Sequence, residues 1–275
     1  MTGAAPLFGG DRFLLVAGPC VLEDDELNLE IARAVASVAE ASGVRAVFKA
    51  SFDKANRTSL RSPRGPGLEA GAAALARVRE ASGLPVLTDV HESGQVAELA
   101  LHVDALQIPA FLCRQTDLLL AAGASGRAIN VKKGQWMAPE EMEHPVAKLR
   151  SAGATDLAVT ERGTAFGYGR WIVDMRSFAL MREACDARVL YDATHSIQLP
   201  GGGAGGRRSG GEPEHIERLA RAAVAAGAEG LFVEVHPDPA SAPSDGANML
   251  PLERLEGLVA DVLAIRAARG PVESA

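Results

Sequence analysis

Eight short β-rich runs alternate with eight amphipathic stretches along this chain, and no other feature narrows its fold so far. The strand candidates are Phe13–Ala17, Arg45–Lys49, Pro85–Asp89, Ala105–Ile108, Ala128–Val131, Leu157–Thr160, Arg188–Asp192 and Gly230–Val235. Between them the spacing predicts helices over Asp25–Ala41, Leu68–Ser82, Ser93–Ala100, Thr116–Ala122, Pro139–Ala152, Met175–Ala184, Glu214–Ala226 and Leu252–Ala268. Several of these stop at glycine, as at Gly43, Gly83, Gly153 and Gly227, the residue that adopts a left-handed helix end at least cost. Eight strand–helix units are the closure number of the (β/α)8, or TIM, barrel, and 275 residues suit one such domain spanning residues 1–275. A doubly wound open sheet is the runner-up. No Gly-x-Gly-x-x-Gly turn follows the first strand, which weakens a dinucleotide-binding reading.

In a barrel of this kind chemistry gathers outside the C-terminal strand ends. All eight predicted ends are polar. They carry Cys20 after strand 1, Lys49 on strand 2, Asp89 with His91 on strand 3 and Gln107 on strand 4. Lys132, Lys133 and Gln135 follow strand 5, Glu161 and Arg162 strand 6, Asp192 and His195 strand 7, and Glu234 and His236 strand 8. Beyond Lys49 the chain enters a loop with no helical period, placing five cations (Lys49, Lys54, Arg57, Arg61, Arg64) within sixteen residues. On a chain of net charge −7 such a run reads as an anion pocket, with a solvated basic loop as the plain alternative.

Two subsets emerge from the tips. Lys49, Lys54, Lys132 and Arg162, with His195, suit a small molecule carrying phosphate and carboxylate groups, because arginine offers a bidentate fork and lysine a point charge. Cys20, His195, Glu234 and Asp245 offer a thiolate, an imidazole and two carboxylates, a mixed set for a divalent first-row metal such as Fe, Zn, Mn or Co. Taken singly, Cys20 fits a small buried hydrophobe better than a ligand, and His195 fits a satisfied polar residue near the core as well as a ligand. The run Gly201–Gly211, with Arg207 and Arg208, holds too many glycines to keep one conformation unaided. It reads either as a lid over the mouth or as a floppy insertion.

The acidic balance, with an isoelectric point near 5.5, argues against nucleic acid or an anionic membrane as partner. Met1–Gly10 is too short and weakly charged for a signal peptide, no apolar run reaches membrane-spanning length, and three distant cysteines suggest no disulfide framework. These features predict a soluble cytoplasmic protein.

Longer strings carry a resemblance. Ala17-Gly18-Pro19-Cys20, Phe48-Lys49-Ala50-Ser51-Phe52-Asp53-Lys54-Ala55-Asn56-Arg57, Arg61-Ser62-Pro63-Arg64-Gly65-Pro66-Gly67, Thr88-Asp89-Val90-His91-Glu92 and Gln107-Ile108-Pro109-Ala110-Phe111 are among them. So are Asn130-Val131-Lys132-Lys133-Gly134-Gln135, Glu161-Arg162-Gly163, Phe166-Gly167-Tyr168, Asp192-Ala193-Thr194-His195-Ser196 and His236-Pro237-Asp238-Pro239. Over about residues 13 to 265 the chain resembles the 3-deoxy-D-manno-octulosonate 8-phosphate synthase family. The resemblance implies a (β/α)8 enzyme, commonly a homotetramer, that condenses phosphoenolpyruvate with D-arabinose 5-phosphate on the route to lipopolysaccharide. It implies that Lys49, Lys54, Lys132, Arg162 and His195 hold phosphoenolpyruvate, and that Asn56, Arg57 and Thr58 hold the sugar phosphate. Gln107, Phe111 and Gln135 lie in the matching strings as further substrate contacts. Lys132 is the first candidate for proton transfer to the enol phosphate, and Asp89 for an acid–base or sugar-orienting role. The family has a metal-dependent and a metal-independent branch. The latter carries Asn at the position of Cys20, so the resemblance implies the metal-dependent branch with Cys20, His195, Glu234 and Asp245 as ligands.

Thr58 stands where the family usually has Ser, Leu60-Arg61 where Ile-His is expected, and Gly201–Gly211 is richer in glycine than usual. Two rivals stay in view. The sister reaction uses erythrose 4-phosphate, but its enzymes carry Lys-Pro-Arg-Thr-Ser where this chain has Lys54-Ala55-Asn56-Arg57-Thr58. A catalytically dead sugar-phosphate-binding barrel should have lost a lysine or a metal ligand, and none is missing.

Overall fold

The computed structural model describes residues 5–57, 60, 62–202 and 210–271. Eight parallel strands form the barrel wall: β1 (Leu14–Gly18), β2 (Arg45–Lys49), β3 (Val86–Asp89), β4 (Ala105–Ile108), β5 (Ala128–Lys132), β6 (Leu157–Glu161), β7 (Arg188–Asp192) and β8 (Gly230–His236). Each pairs with the next, and β1 also pairs in parallel with β8, aligning Leu14 with Gly230 and Gly18 with Glu234. The sheet is therefore closed. The (β/α)8 expectation holds and the open-sheet alternative falls.

The helices are α1 (Asp25–Ser42), α2 (Leu68–Ser82), α3 (Val96–His102), α4 (Thr116–Ala124), α5 (Glu143–Ser151), α6 (Ser177–Cys185), α7 (Ile216–Ala225) and α8 (Leu255–Arg269). Sequence periodicity finds all eight and misplaces several starts. Ser93–Gln95, Glu140–Met142, Pro213–His215 and Leu252–Arg254 are single 3₁₀ turns ahead of α3, α5, α7 and α8. The tighter turn often opens a helix while its first N–H groups lack internal partners. Gly43 and Gly83 end α1 and α2 with φ near +70°, as expected. α6 instead ends on Asp186, which takes the left-handed conformation without being glycine.

Alternation along the strands sorts the wall into two faces. Outward residues such as Leu15, Ala17, Phe48 and Val159 join the large core beneath the helices. Inward residues near the strand starts form a second, smaller core: Leu14, Val16, Val47, Leu87, Ala105, Ala128, Ala158, Leu190 and Phe232. Phe8, from the segment before β1, joins this inner core. The Asp156 carboxylate accepts from the main-chain N–H groups of Leu7 and Phe8, and Arg45 donates to the carbonyls of Pro6, Leu7 and Gly9. This N-terminal plug leaves no periodic signal and is missed by the sequence reading.

Moving two residues toward the C-terminal ends keeps the same inward face. Val47 gives way to Lys49, Leu87 to Asp89, Ala105 to Gln107, Leu190 to Asp192 and Phe232 to Glu234. The barrel thus has an apolar floor and a charged mouth. Close strand packing at that mouth requires Gly18, since a Cβ there would lie 2.0 Å from the Lys49 carbonyl oxygen. No helix among the described residues is long and apolar enough to cross a membrane.

Candidate active site

Lys49 enters the mouth from β2 and is almost wholly buried. Its Nζ donates to Glu234 Oε1 at 2.6 Å and to the Cys20 carbonyl at 2.9 Å. Opposite, Lys132 leaves β5 and donates to Asp192 Oδ2 at 2.6 Å. Phe232, two residues before Glu234 on β8, lies under both ammoniums, with its ring centre 3.5 Å from Lys132 Nζ and 5.4 Å from Lys49 Nζ.

Asp192 organises this side. Its Oδ1 accepts from the main-chain N–H groups of Thr194 and His195, and its carboxylate lies 2.8 Å from His195 Nδ1. An imidazole that donates from Nδ1 to a carboxylate presents Nε2 as a free lone pair. His195 Nε2 stands 3.7 Å from Glu234 Oε1.

On the other side of Glu234, one donor atom each from Cys20, Glu234 and Asp245 falls within 4.8 Å of the others. The Cys20 thiol donates to Asp245 Oδ2 at 3.3 Å, Gln198 Nε2 donates to Asp245 Oδ1, and Glu234 Oε2 is buried with no partner among the described residues. Asp245 holds a left-handed backbone with φ 51°, a conformation that costs a non-glycine residue energy and is often kept where its side chain is needed. Three of the four expected ligands come together. His195 stands beside them through Glu234.

Arg162 follows β6 into the mouth and is 6% exposed. Its Nη2 donates to Gln198 Oε1 at 2.9 Å, its guanidinium faces the Trp171 ring, and its Nη1 has no acceptor among the described residues. Buried Gln135, in the loop after β5, likewise leaves Oε1 without a partner among the described residues. Gln107, Asn130 and Thr160 form a belt across β4, β5 and β6 through bonds of 3.0 and 2.7 Å. Asp89 accepts from Ser51 Oγ at 2.6 Å and lies 2.8 Å from His91 Nε2.

The run of five cations divides once folded. Lys49 and Lys54 belong to the mouth, where Lys54 Nζ lies 3.4 Å from Ser51 Oγ. Arg64 forks onto Asp53 through an Nε–Oδ1 bond of 2.7 Å and is largely exposed. Arg57 donates to the carbonyls of Pro63 and Pro243 at 2.9 and 3.1 Å. Of the described cations in this stretch, Lys49 and Lys54 stand in the mouth, Arg64 is paired with Asp53, and Arg57 rests on main-chain oxygens. Asn56 is exposed in the same loop, while Thr58 and Arg61 lie outside the described residues. Phe111, 57% exposed, stacks on Trp136 with centroids 6.3 Å apart. Of the glycine run, Gly210–Gly211 pairs with Gln198–Leu199, and residues 203–209 lie outside the described residues.

Sequence reasoning missed three contributors. Asp192 is visible at a strand end, but its hold on both Lys132 and His195 is a matter of distance. Phe232 follows from alternation, two residues before Glu234. Gln198, bridging Arg162 and Asp245, lies in a two-residue strand after β7, too short for any pattern to mark it.

Protonation follows from this packing. Burial pushes the Cys20 thiol well above its ordinary range, and the Glu234 carboxylate adds to that. Burial pulls Lys132 below the usual lysine value and Asp192 only partly restores it. For Lys54 burial is outweighed by the carboxylates of Glu234, Asp89 and Asp245, which hold it above the usual value. Burial would raise Glu234, but Lys49, His195 and Lys54 bring it from 4.5 down to about 2. A carboxylate depressed in the folded state contributes stability that is present above its unfolded value and lost as pH falls toward the folded one. Urea midpoints are therefore expected to fall as pH drops from about 4.5 to about 2, with a shallower fall in Glu234→Gln. An identical slope in the variant would refute this ionic role.

With this geometry in hand, comparison with known proteins is specific. Residues 6–264 match the DAHP synthetase I family. A "2-dehydro-3-deoxyphosphooctonate aldolase" of Syntrophotalea carbinolica is 53% identical over 269 residues, covering 97% of this chain and 96% of the relative. Relatives with the same name from Nitratidesulfovibrio vulgaris and Bradyrhizobium diazoefficiens are 56% and 51% identical, covering 92% and 98% of this chain and the same shares of their own lengths.

Proposed function

This chain belongs to the DAHP synthetase I family, and within it we propose that the protein is an enzyme condensing phosphoenolpyruvate with D-arabinose 5-phosphate and water. The products are 3-deoxy-D-manno-octulosonate 8-phosphate and inorganic phosphate, a step toward lipopolysaccharide carried out in the cytoplasm by one undivided domain. The observation that carries this reading is the convergence of Lys49, Lys54, Lys132 and Arg162 on one mouth, in a chain more than half identical to aldolases named for this product.

C3 of phosphoenolpyruvate attacks the sugar aldehyde while water adds at C2, and the hemiketal phosphate then loses phosphate by C–O cleavage. Positive charge develops at C2 and negative charge at the former aldehyde oxygen, so fixed ionic groups around both atoms lower the barrier. Arg162, with a free Nη1, and Lys54 are assigned to the phosphate and carboxylate of phosphoenolpyruvate. Lys132, eased toward deprotonation by burial and steered by Asp192, is assigned proton transfer to the enol phosphate. Asp89, fixed by Ser51 and His91, is assigned an acid–base or orienting role toward the sugar. Asn56, Arg57 and Thr58 are assigned to the sugar phosphate, with Gln107, Phe111 and Gln135 as further contacts. Holding both substrates together adds the proximity contribution.

We assign the protein to the metal-dependent branch. Cys20, Glu234, Asp245 and His195 fit a divalent first-row cation: the orphaned Glu234 Oε2 lacks a partner, and the Asp192–His195 bond leaves Nε2 available. When bound, such an ion supplies Lewis-acid polarisation of an oxygen at the mouth. With Glu234 and Asp245 committed to it, Lys49, Lys54 and Arg162 retain positive charge for phosphoenolpyruvate. A homotetramer is also proposed, supported by the exposed aromatic residues Phe111, Trp136, Phe166 and Tyr168 beside the mouth loops.

Arg162→Met tests the assignment of phosphoenolpyruvate. Loss of charge-assisted hydrogen bonds is expected to raise its KM about 30- to 100-fold, with a smaller change for the sugar. An unchanged KM would remove Arg162 from the substrate site.

A further inference from the structure

A cavity of about 580 Å3 lies at the end of the barrel opposite the mouth, beside the N-terminal plug. Arg182, Arg188, Arg266 and Arg269 line it, against the carboxylates of only Asp11 and Glu229. Among the described lining residues the guanidiniums therefore outnumber the carboxylates by two, on a chain whose net charge is −7. Among the described residues, the only carboxylate ion pair made by these four is Arg182 Nη1 to Glu229 Oε2, at 3.3 Å.

The other guanidiniums rest on main-chain oxygens. Arg188 Nη2 donates to Gly10 and Arg12 at 2.6 and 2.8 Å, Arg269 Nη1 to Val224 at 2.7 Å, and Arg266 to Asp11. Arg188 is only 6% exposed, and its Nη1 finds no acceptor among the described residues. Burial depresses the Arg188 guanidinium below its ordinary value, and Arg45, Arg266 and Arg182 add to this against Glu229. Burial and Arg266 do the same to Arg269. Arginines at this end of a barrel also cap helix C-termini, which accounts for the bond from Arg269 to the end of α7. Capping does not account for the unpartnered Arg188 Nη1, nor for an excess of cations around an open volume.

We propose that this cavity binds a small phosphate monoester, at a site separate from the active site. Arginine forks match phosphate oxygens bidentately, and a dianion balances the two excess charges. The volume is several times that of a bare phosphate, and Phe178 and Leu263 offer apolar wall to an organic body. The position lies beyond what the reaction needs, so the proposal does not rest on the assignment of substrates.

The test is calorimetric titration of the full chain with phenyl phosphate, inorganic phosphate and phenol. Arg266→Gln/Arg269→Gln is expected to weaken phenyl phosphate about tenfold, and Glu229→Gln to tighten it about threefold by removing a facing negative charge. Any binding at the mouth is common to all three proteins and cancels in the comparison. A variant that merely misfolded could not bind more tightly, so Glu229→Gln decides even if the double variant is unstable. Equal affinity in all three proteins would overturn the site. Variant-sensitive binding of inorganic phosphate as tight as that of phenyl phosphate, or of phenol equally tight, would overturn the monoester assignment.

Discussion

Asp192→Ala is expected to lower turnover by about 10³-fold and to cost about 3–5 kcal/mol of folding stability, because it strands a buried cation. The wild-type carboxylate is fully buried, pairs with Lys132 at 2.6 Å and fixes His195 through Nδ1. Without it the face of Phe232 and His195 Nδ1 remain against Lys132 but no carboxylate within ion-pair distance among the described residues, and the imidazole is free to present either nitrogen. Asp192→Asn separates the two effects. An amide of the same shape leaves much of the packing intact, so the stability loss should shrink. It cannot neutralise Lys132 or hold the same imidazole tautomer with the same strength, so turnover should stay low. Thermal unfolding and steady-state kinetics on the two variants check this. If Asp192→Asn turns over like wild type, Asp192 is only a structural counter-ion.

Removal of divalent metal is the second large effect expected. Thorough chelation should reduce phosphate release about 100-fold or more, with recovery on adding back a first-row divalent ion. Cys20→Ala should hold less metal after dialysis, measured as bound ion per chain, and should recover poorly. The physical basis is the environment of the thiol. Burial and Glu234 hold it protonated in the absence of a cation, and a divalent ion displaces that proton by compensating the two carboxylates. Full activity after chelation, with no metal retained by wild type, would remove the catalytic metal from the account.

These effects mark how far the sequence can be read. The barrel was legible because strand and helix periods alternate eight times, whereas closure, which a count of strands does not show, rests on the pairing of β1 with β8. The mouth was legible because Lys49, Asp89, Lys132, Asp192 and Glu234 end strands, and an inward face alternates along each of them. What stayed hidden depends on distances between strands far apart in the chain. Lys49 and Glu234 are 185 residues apart, and only the β8–β1–β2 neighbourhood brings them to 2.6 Å. The pairing of Arg64 with Asp53 stayed hidden for a related reason, since composition shows charge and not which carboxylate neutralises it. The N-terminal plug and Gln198 act through main-chain and loop contacts that carry no periodic signal. The set Cys20, His195, Glu234 and Asp245 was legible as metal-binding chemistry gathered at and after the strand ends, although its spacing is too dispersed to form a motif, and the resemblance added the metal-dependent branch.

The central claim concerns which sugar phosphate is condensed. The most direct measurement is inorganic phosphate release from phosphoenolpyruvate with D-arabinose 5-phosphate and D-erythrose 4-phosphate side by side, on the same metal-supplied preparation. Release that requires the five-carbon sugar, with little or none from the four-carbon one, is the predicted result. Preference for erythrose 4-phosphate would contradict the account and reassign the chain to the sister reaction, and no release with either sugar would leave the barrel a binder rather than a synthase.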